Sequence, residues 1–229
     1  MSEKEKHAAP EPESPEKLEA NKLKESERAA LPGRYRDLLR WSREMADSSR
    51  EDVRRLREVI ETAAKEGHYR RDKFGNSTLM RSLHTAGELC SRVSPDRNMV
   101  VAILLYPLCL TGRHTAEEVE EKWGDDIARM VRGLLKVSTL YERGAAVESE
   151  NFRRLLMTFA DDIRVIIIMI VDRLVLMKII NHHPDDRLVR DVAYEANYLY
   201  ASLAHRLGLY AIKGELEDMS LKYTDRETY

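Results

Sequence analysis

Beyond about residue 30, apolar side chains recur along this chain at three- and four-residue spacing, with no strictly alternating stretch. That spacing puts apolar groups on one side of a helix and predicts helices, not strands. Residues 1–30 depart from it: Glu, Lys, Pro, Ser and Ala dominate, with too few apolar groups to offset ordering, and a solvated tail is expected. A first helix is predicted over Tyr35–Met45, with Leu38, Leu39 and Trp41 facing inward. A second enters at Ser49 with Glu51 and Asp52 in its first turn, where acids suit the helix dipole, and carries Val53, Leu56, Val59, Ile60 and Ala63. Helices over Leu79–Val93 and Arg97–Leu108 are split by Ser94-Pro95-Asp96. Thr115 and Glu118 have the spacing of a capping box, Gly124 ends that helix, and Ile127–Leu140 continues the series. A segment over Ser149–Phe159 precedes Ile163–Ile180, which is apolar nearly all round and belongs at the centre. Pro184-Asp185-Asp186 opens a helix to about Leu207, Gly208 breaks it, and Tyr210–Lys222 closes the set. The pattern predicts an all-α, single helical bundle.

Composition narrows the function classes. Lys and Arg number 38 against 40 Asp and Glu, a net charge of -2. Without surplus cations to displace counterions, a general nucleic-acid surface and direct DNA binding are not expected. The two cysteines, Cys90 and Cys109, lie in apolar helical surroundings without a CxxC or Cys/His cluster, and read as buried reduced thiols. The N-terminus is charged and lacks an apolar core segment, so no secretory signal is expected. The most apolar stretch, Ile163–Val171, is interrupted by Arg164 and is short of the roughly 20 residues that cross a bilayer, so no membrane association is expected. A soluble, cytoplasmic protein is the expectation.

The C-terminal quarter is the most distinctive. Residues 200–218 read YASLAHRLGLYAIKGELED, preceded by Asp162-Ile163-Arg164-Val165 and Val171-Asp172-Arg173-Leu174. Singly these are ordinary packing words; together they closely resemble the segment joining the hydrolase and synthetase domains of bacterial RelA/SpoT stringent-response proteins, and its preceding helix. The resemblance covers roughly residues 50–229. Residues 31–222 then correspond to an HD-type (p)ppGpp hydrolase-like domain, and 223–229 to the start of a linker toward a synthetase domain that this chain does not contain.

In active relatives, the resemblance implies, manganese is held by an early His, a His-Asp pair on the next helix and an Asp in a later helix, and activates water against a 3′-pyrophosphate of (p)ppGpp. A hard divalent cation needs several such ligands converging on one point, and its charge lowers the pKa of the bound water. Transferred position by position, the His-Asp pair becomes Tyr106-Pro107, the assisting acids become Leu110 and Thr111, the early His falls on Ser82, and an Asn becomes Leu176. Asp172 alone keeps its ligand type. His84 does not rescue the set, because two residues along a helix rotate a side chain by about 200° from Ser82. No metal and no catalytic residue are therefore expected, and Asp172 is expected to be paired internally. Tyr106, Leu110 and Leu176 are expected to fill the vacated space.

Other candidates are weaker. Arg71 and Lys73, in Arg71-Asp72-Lys73-Phe74-Gly75, loosely match the relatives' guanine-nucleotide loop and are candidate nucleotide contacts. His182-His183 suits a capping or surface role, and Arg54, Arg55 and Arg57 a solvated face among acids. No P-loop, dinucleotide-binding glycine pattern or nucleophile elbow is present. The leading expectation is a catalytically inactive, regulatory hydrolase-like domain whose partner is the synthetase domain of the full-length protein. The competing readings are an active, metal-dependent 3′-pyrophosphohydrolase with a rearranged site, and a helical module that binds (p)ppGpp or GDP without turnover.

Overall fold

Helices in the computed structural model, which describes residues 13–44, 50–142, 162–181 and 183–225, begin where short polar side chains take up the first free backbone amides. Ser14 accepts from Lys17 N and opens α1 (Pro15–Asn21), with Pro15 in the first turn, where its missing N–H costs nothing. Asp96 accepts from Met99 N at 2.8 Å and opens α5 (Arg97–Leu110). The expected capping box is present at α6 (Ala116–Trp123): Glu118 N donates to Thr115 Oγ1 at 3.1 Å, and Thr115 N to Glu118 Oε2 at 3.3 Å. Gly124, at φ +96°, ends that helix as expected.

Between these lie α2 (Glu25–Glu44), α3 (Arg50–Glu66), α4 (Thr78–Arg92) and α7 (Asp125–Glu142). The apolar helix α8 (Ile163–Ile179) takes the central place expected of it, packing against α4, α5, α7 and the C-terminal helices. Asp185 caps α9 (Asp186–Glu195), which runs through a π-helical segment (Ala196–Ala201) into α10 (Ser202–Arg206). Gly208, at φ +73°, makes the break, and α11 (Tyr210–Thr224) follows. The described residues contain no β-strand, and one continuous core runs through the bundle. None of their helices is long and apolar enough to cross a membrane.

The chain becomes helical earlier than its composition suggested. Residues 15–21 and 25–30, read as part of the solvated tail, are helical, although α1 has no buried residue. Caps and ion pairs to the body hold them, and hydrophobic patterning does not register such forces. Residues 1–12, the entry at Ser49, the side chains of Leu39 and Trp41, and the segment Ser149–Phe159 lie outside the described residues.

One arginine ties three helix starts together. Arg164 donates to Asp96 (2.8 Å), Asp126 (2.6 and 2.9 Å) and Asp162 (2.6 and 3.0 Å), which respectively cap α5, sit in the first turn of α7 and cap α8. Several carboxylates converge on one guanidinium, whose charge they hold firmly.

Candidate functional site

Asp172 interrupts the apolar run of α8 where α4 lies against it. Arg81 and Thr85 stand four residues apart on α4 and so share one face. Arg81 Nε donates to Asp172 Oδ1 at 3.0 Å and Nη2 to Oδ2 at 2.9 Å, a fork on both carboxylate oxygens. Thr85 Oγ1 lies 3.2 Å from Asp172 Oδ1 and 3.0 Å from the Arg81 carbonyl. The remaining Arg81 nitrogen, Nη1, donates to Asp72 Oδ2 at 3.2 Å.

Asp72 in turn organises the loop between α3 and α4. Its Oδ1 accepts from the backbone amides of Phe74 and Asn76, each at 2.9 Å. Arg81, with its side chain 24% exposed, thus bridges a carboxylate of the loop and one of the central helix. Burial opposes its charge, but attraction to Asp172, its hydrogen bonds and Asp72 outweigh that and raise its pKa. Arg173 faces elsewhere, donating to Glu195 at 2.9 Å and to Tyr200 Oη at 3.2 Å, with its guanidinium 4.5 Å from the Tyr200 ring centre.

Asp172 is paired internally, as expected, although its partner is not one the sequence suggested. Ser82, where the early ligand was placed, is buried in α4, and the side chain reaching Asp172 comes from Arg81, one position earlier. Tyr106 is half-buried against the core, Pro107 is buried within α5, and Leu176 is core. Leu110 is half-buried at the end of α5, while the buried Thr111 donates its hydroxyl to the Leu108 carbonyl at 3.0 Å. His84 contacts Arg34 of α2 and not Asp172; burial first, then Arg34, lowers its pKa.

A divalent cation is poorly matched by these donors. Both Asp172 oxygens already face a guanidinium, and no three His, Cys, Asp or Glu side chains converge among the described residues.

The nucleotide-loop candidates separate. Arg71 is enclosed: Nη1 and Nη2 reach Glu27 at 2.9 and 2.8 Å, and its guanidinium also donates to the Gly75 and Lys22 carbonyls at 3.0 and 2.9 Å. Lys73 is exposed, with its ammonium 5.5 Å from the Phe74 ring centre. His183 packs edge-on to Phe74 and accepts from Asp185 N at 3.2 Å, a turn role like the one expected; His182 lies outside the described residues. Arg54 pairs with Glu58 and Arg57 with Glu61 on an exposed face, while Arg55 covers Trp123.

A family model described as "HD domain" matches residues 59–210. The chain is 33% identical over 167 residues to a guanosine-3′,5′-bis(diphosphate) 3′-pyrophosphohydrolase of Aquifex aeolicus, covering 72% of this chain and 23% of that protein. It is 33% identical over 162 residues to a GTP pyrophosphokinase of Myxococcus xanthus, covering 69% and 21%. With the bifunctional (p)ppGpp synthase/hydrolase SpoT of Escherichia coli it shares 29% over 174 residues, covering 75% and 24%. The chain therefore spans less than a quarter of the length of each of these relatives.

Proposed function

Since the chain belongs to the HD-domain family and is homologous to the RelA/SpoT (p)ppGpp hydrolase/synthetase proteins over its central region, we propose that it is a catalytically silent member serving as a regulatory scaffold. The observation that carries this reading is the fork of Arg81 on Asp172. In an active site of this type, the carboxylate would help hold a dication that acidifies water. Here the same carboxylate neutralises an organic cation that exposes no ligand position and activates nothing. Tyr106 and Pro107 offer neither imidazole nor carboxylate from the neighbouring α5. The donor set does not fit a metal.

A silent domain can still regulate. Coupling between domains requires only that two packed arrangements differ in stability, and a rigid bundle biases that balance without turnover. In this reading the partner is a synthetase domain of the kind the long relatives carry, which transfers pyrophosphate from ATP to GTP or GDP.

Incubating the chain with ppGpp and manganese, and following GDP by chromatography, tests the central claim. The expected result is no release above a protein-free control. Turnover that vanishes in Asp172→Ala would overturn silence and favour a rearranged active hydrolase.

A further inference from the structure

Helix α9 buries Val189, Val192 and Ala193 against the bundle and turns a different set of side chains outward. Arg187, Arg190, Asp191 and Tyr194 recur there at three- and four-residue spacing, which places them in one stripe about 100° wide. Tyr198, four residues on, carries the row into the π-helical segment. All five are exposed, Tyr194 keeping 58% of its surface open and Tyr198 43%. Tyrosine and arginine supply much of the binding energy at protein interfaces, because each joins a broad contact surface to a polar tip.

The charges on this face are left over from the pairing within the bundle. Arg81, Arg92, Arg164 and Arg173 each meet a carboxylate of another element. Arg187, Arg190 and Asp191 form no ion pair with any other described residue. A second copy supplies what they lack. Two α9 helices laid antiparallel, with a two-fold axis between positions 190 and 191, bring residue 190 of each opposite 191 of the other, and 187 opposite 194. Arg190 then meets Asp191 at two symmetric points, and Arg187 lies over the Tyr194 ring, also twice. An axis through position 190 or 191 itself would set like charges together. The acids also speak against a nucleic acid here: Asp186 and Asp191 balance Arg187 and Arg190, leaving no surplus cation to displace counterions.

We infer that the outward face of α9 is a docking surface for a second copy of this chain, centred on reciprocal Arg190–Asp191 contacts. One helix face lies at the small end of specific interfaces, on the order of 1,000 Å² in total, so association in the micromolar range is expected. The inference goes beyond the silent-scaffold reading and does not depend on it.

Sedimentation velocity of the whole chain, from low to high micromolar concentration, should show a monomer–dimer equilibrium. Arg190→Glu and Asp191→Arg should each weaken it at least tenfold, since either change sets like charges together at both symmetric points. Both positions are exposed, so the variants should keep the bundle intact by circular dichroism. Mixing the two variants should restore the parent affinity. In the mixed pair one contact is native, and the other is reversed in sign but still unlike. A chain that stays monomeric at high micromolar concentration would overturn the inference and leave the face to another partner, such as a following domain. So would a dimer that neither variant weakens, or a loss that mixing does not repair. None of these readouts involves turnover, so failure here leaves the scaffold reading untouched.

Discussion

Arg81 grips Asp172 through two nitrogens on two oxygens, at 3.0 and 2.9 Å, across 91 positions of sequence. This joins the first turn of α4 to the middle of α8 by charge, as Glu88 of α4 and Lys178 of α8 do again at 2.7 Å. Removing one partner strands the other.

Arg81→Ala is therefore expected to lower unfolding free energy by on the order of 2–4 kcal/mol, somewhat under the cost at a fully buried pair because Asp172 keeps 31% exposure. Arg81→Lys should recover less than half of that, since an ammonium offers no fork. The double variant Arg81→Ala/Asp172→Ala should be more stable than the two single losses combined predict. Urea unfolding of all four proteins measures this coupling; simple additivity would mean that the pair is not a unit.

Packing between α7 and α8 supplies another test. A Cβ added at Gly133 would come within 2.8 Å of Val165 Cγ2. Gly133→Ala offers better intrinsic helix propensity but overpacks that crossing, and a net loss of about 1–2 kcal/mol is expected. Adding Val165→Ala should relieve much of it, as read from thermal melts of the single and double variants.

Acid should loosen the Arg164 hub. The Arg164 hydrogen bonds on Asp126, opposed by partial burial and helped by Asn98, hold that carboxyl at about 2, against an unfolded value near 3.9. A depressed carboxyl stabilises the fold fully above the unfolded pKa, and the contribution disappears as pH falls from about 4 toward 2. Asp126 is 37% exposed, so screening keeps this to about 1 kcal/mol or less. Melting temperatures from pH 5 to pH 2 should fall less steeply for Asp126→Asn than for the parent chain. Parallel slopes would reject the assignment.

How far the residues announced all this depended on what held each element. Helix α6, with its capping box, and helix α8, apolar nearly all round, were legible because capping and burial leave local signatures. Helix α1 was not, since its attachments are a hydrogen bond from Arg71 N to Asn21 and the approach of the Leu18 backbone to Gly67, both to residues about 50 positions away. The identity of Asp172 as a paired carboxylate could be read from its being the one carboxylate in a largely apolar helix. Its partner could not: Arg81 reads as an ordinary polar helix position until α4 and α8 are brought together. Counting positions led to Ser82, and only packing revealed which neighbour turns toward α8.

Thiol chemistry should divide the two cysteines. Burial pushes the Cys109 thiol up to about 12, whereas Cys90 is only partly buried. Under native conditions at pH 8, a disulfide reagent should modify Cys90 and leave Cys109 unmodified until denaturant is added. Rapid native labelling of Cys109, located by peptide mapping, would contradict its place in the core.

The π-helical segment Ala196–Ala201 bears on how the chain tolerates changes in length. A single π turn inside an α-helix holds one residue more than a regular helix would use over the same span. Deleting one residue there lets the segment relax to α geometry while α10 and α11 keep their orientation. The same deletion inside α8 would swing every later side chain by about 100°. The stretch from α9 to α10 is thus a built-in allowance for insertion and deletion, and it overlaps the distinctive C-terminal segment at Tyr200 and Ala201.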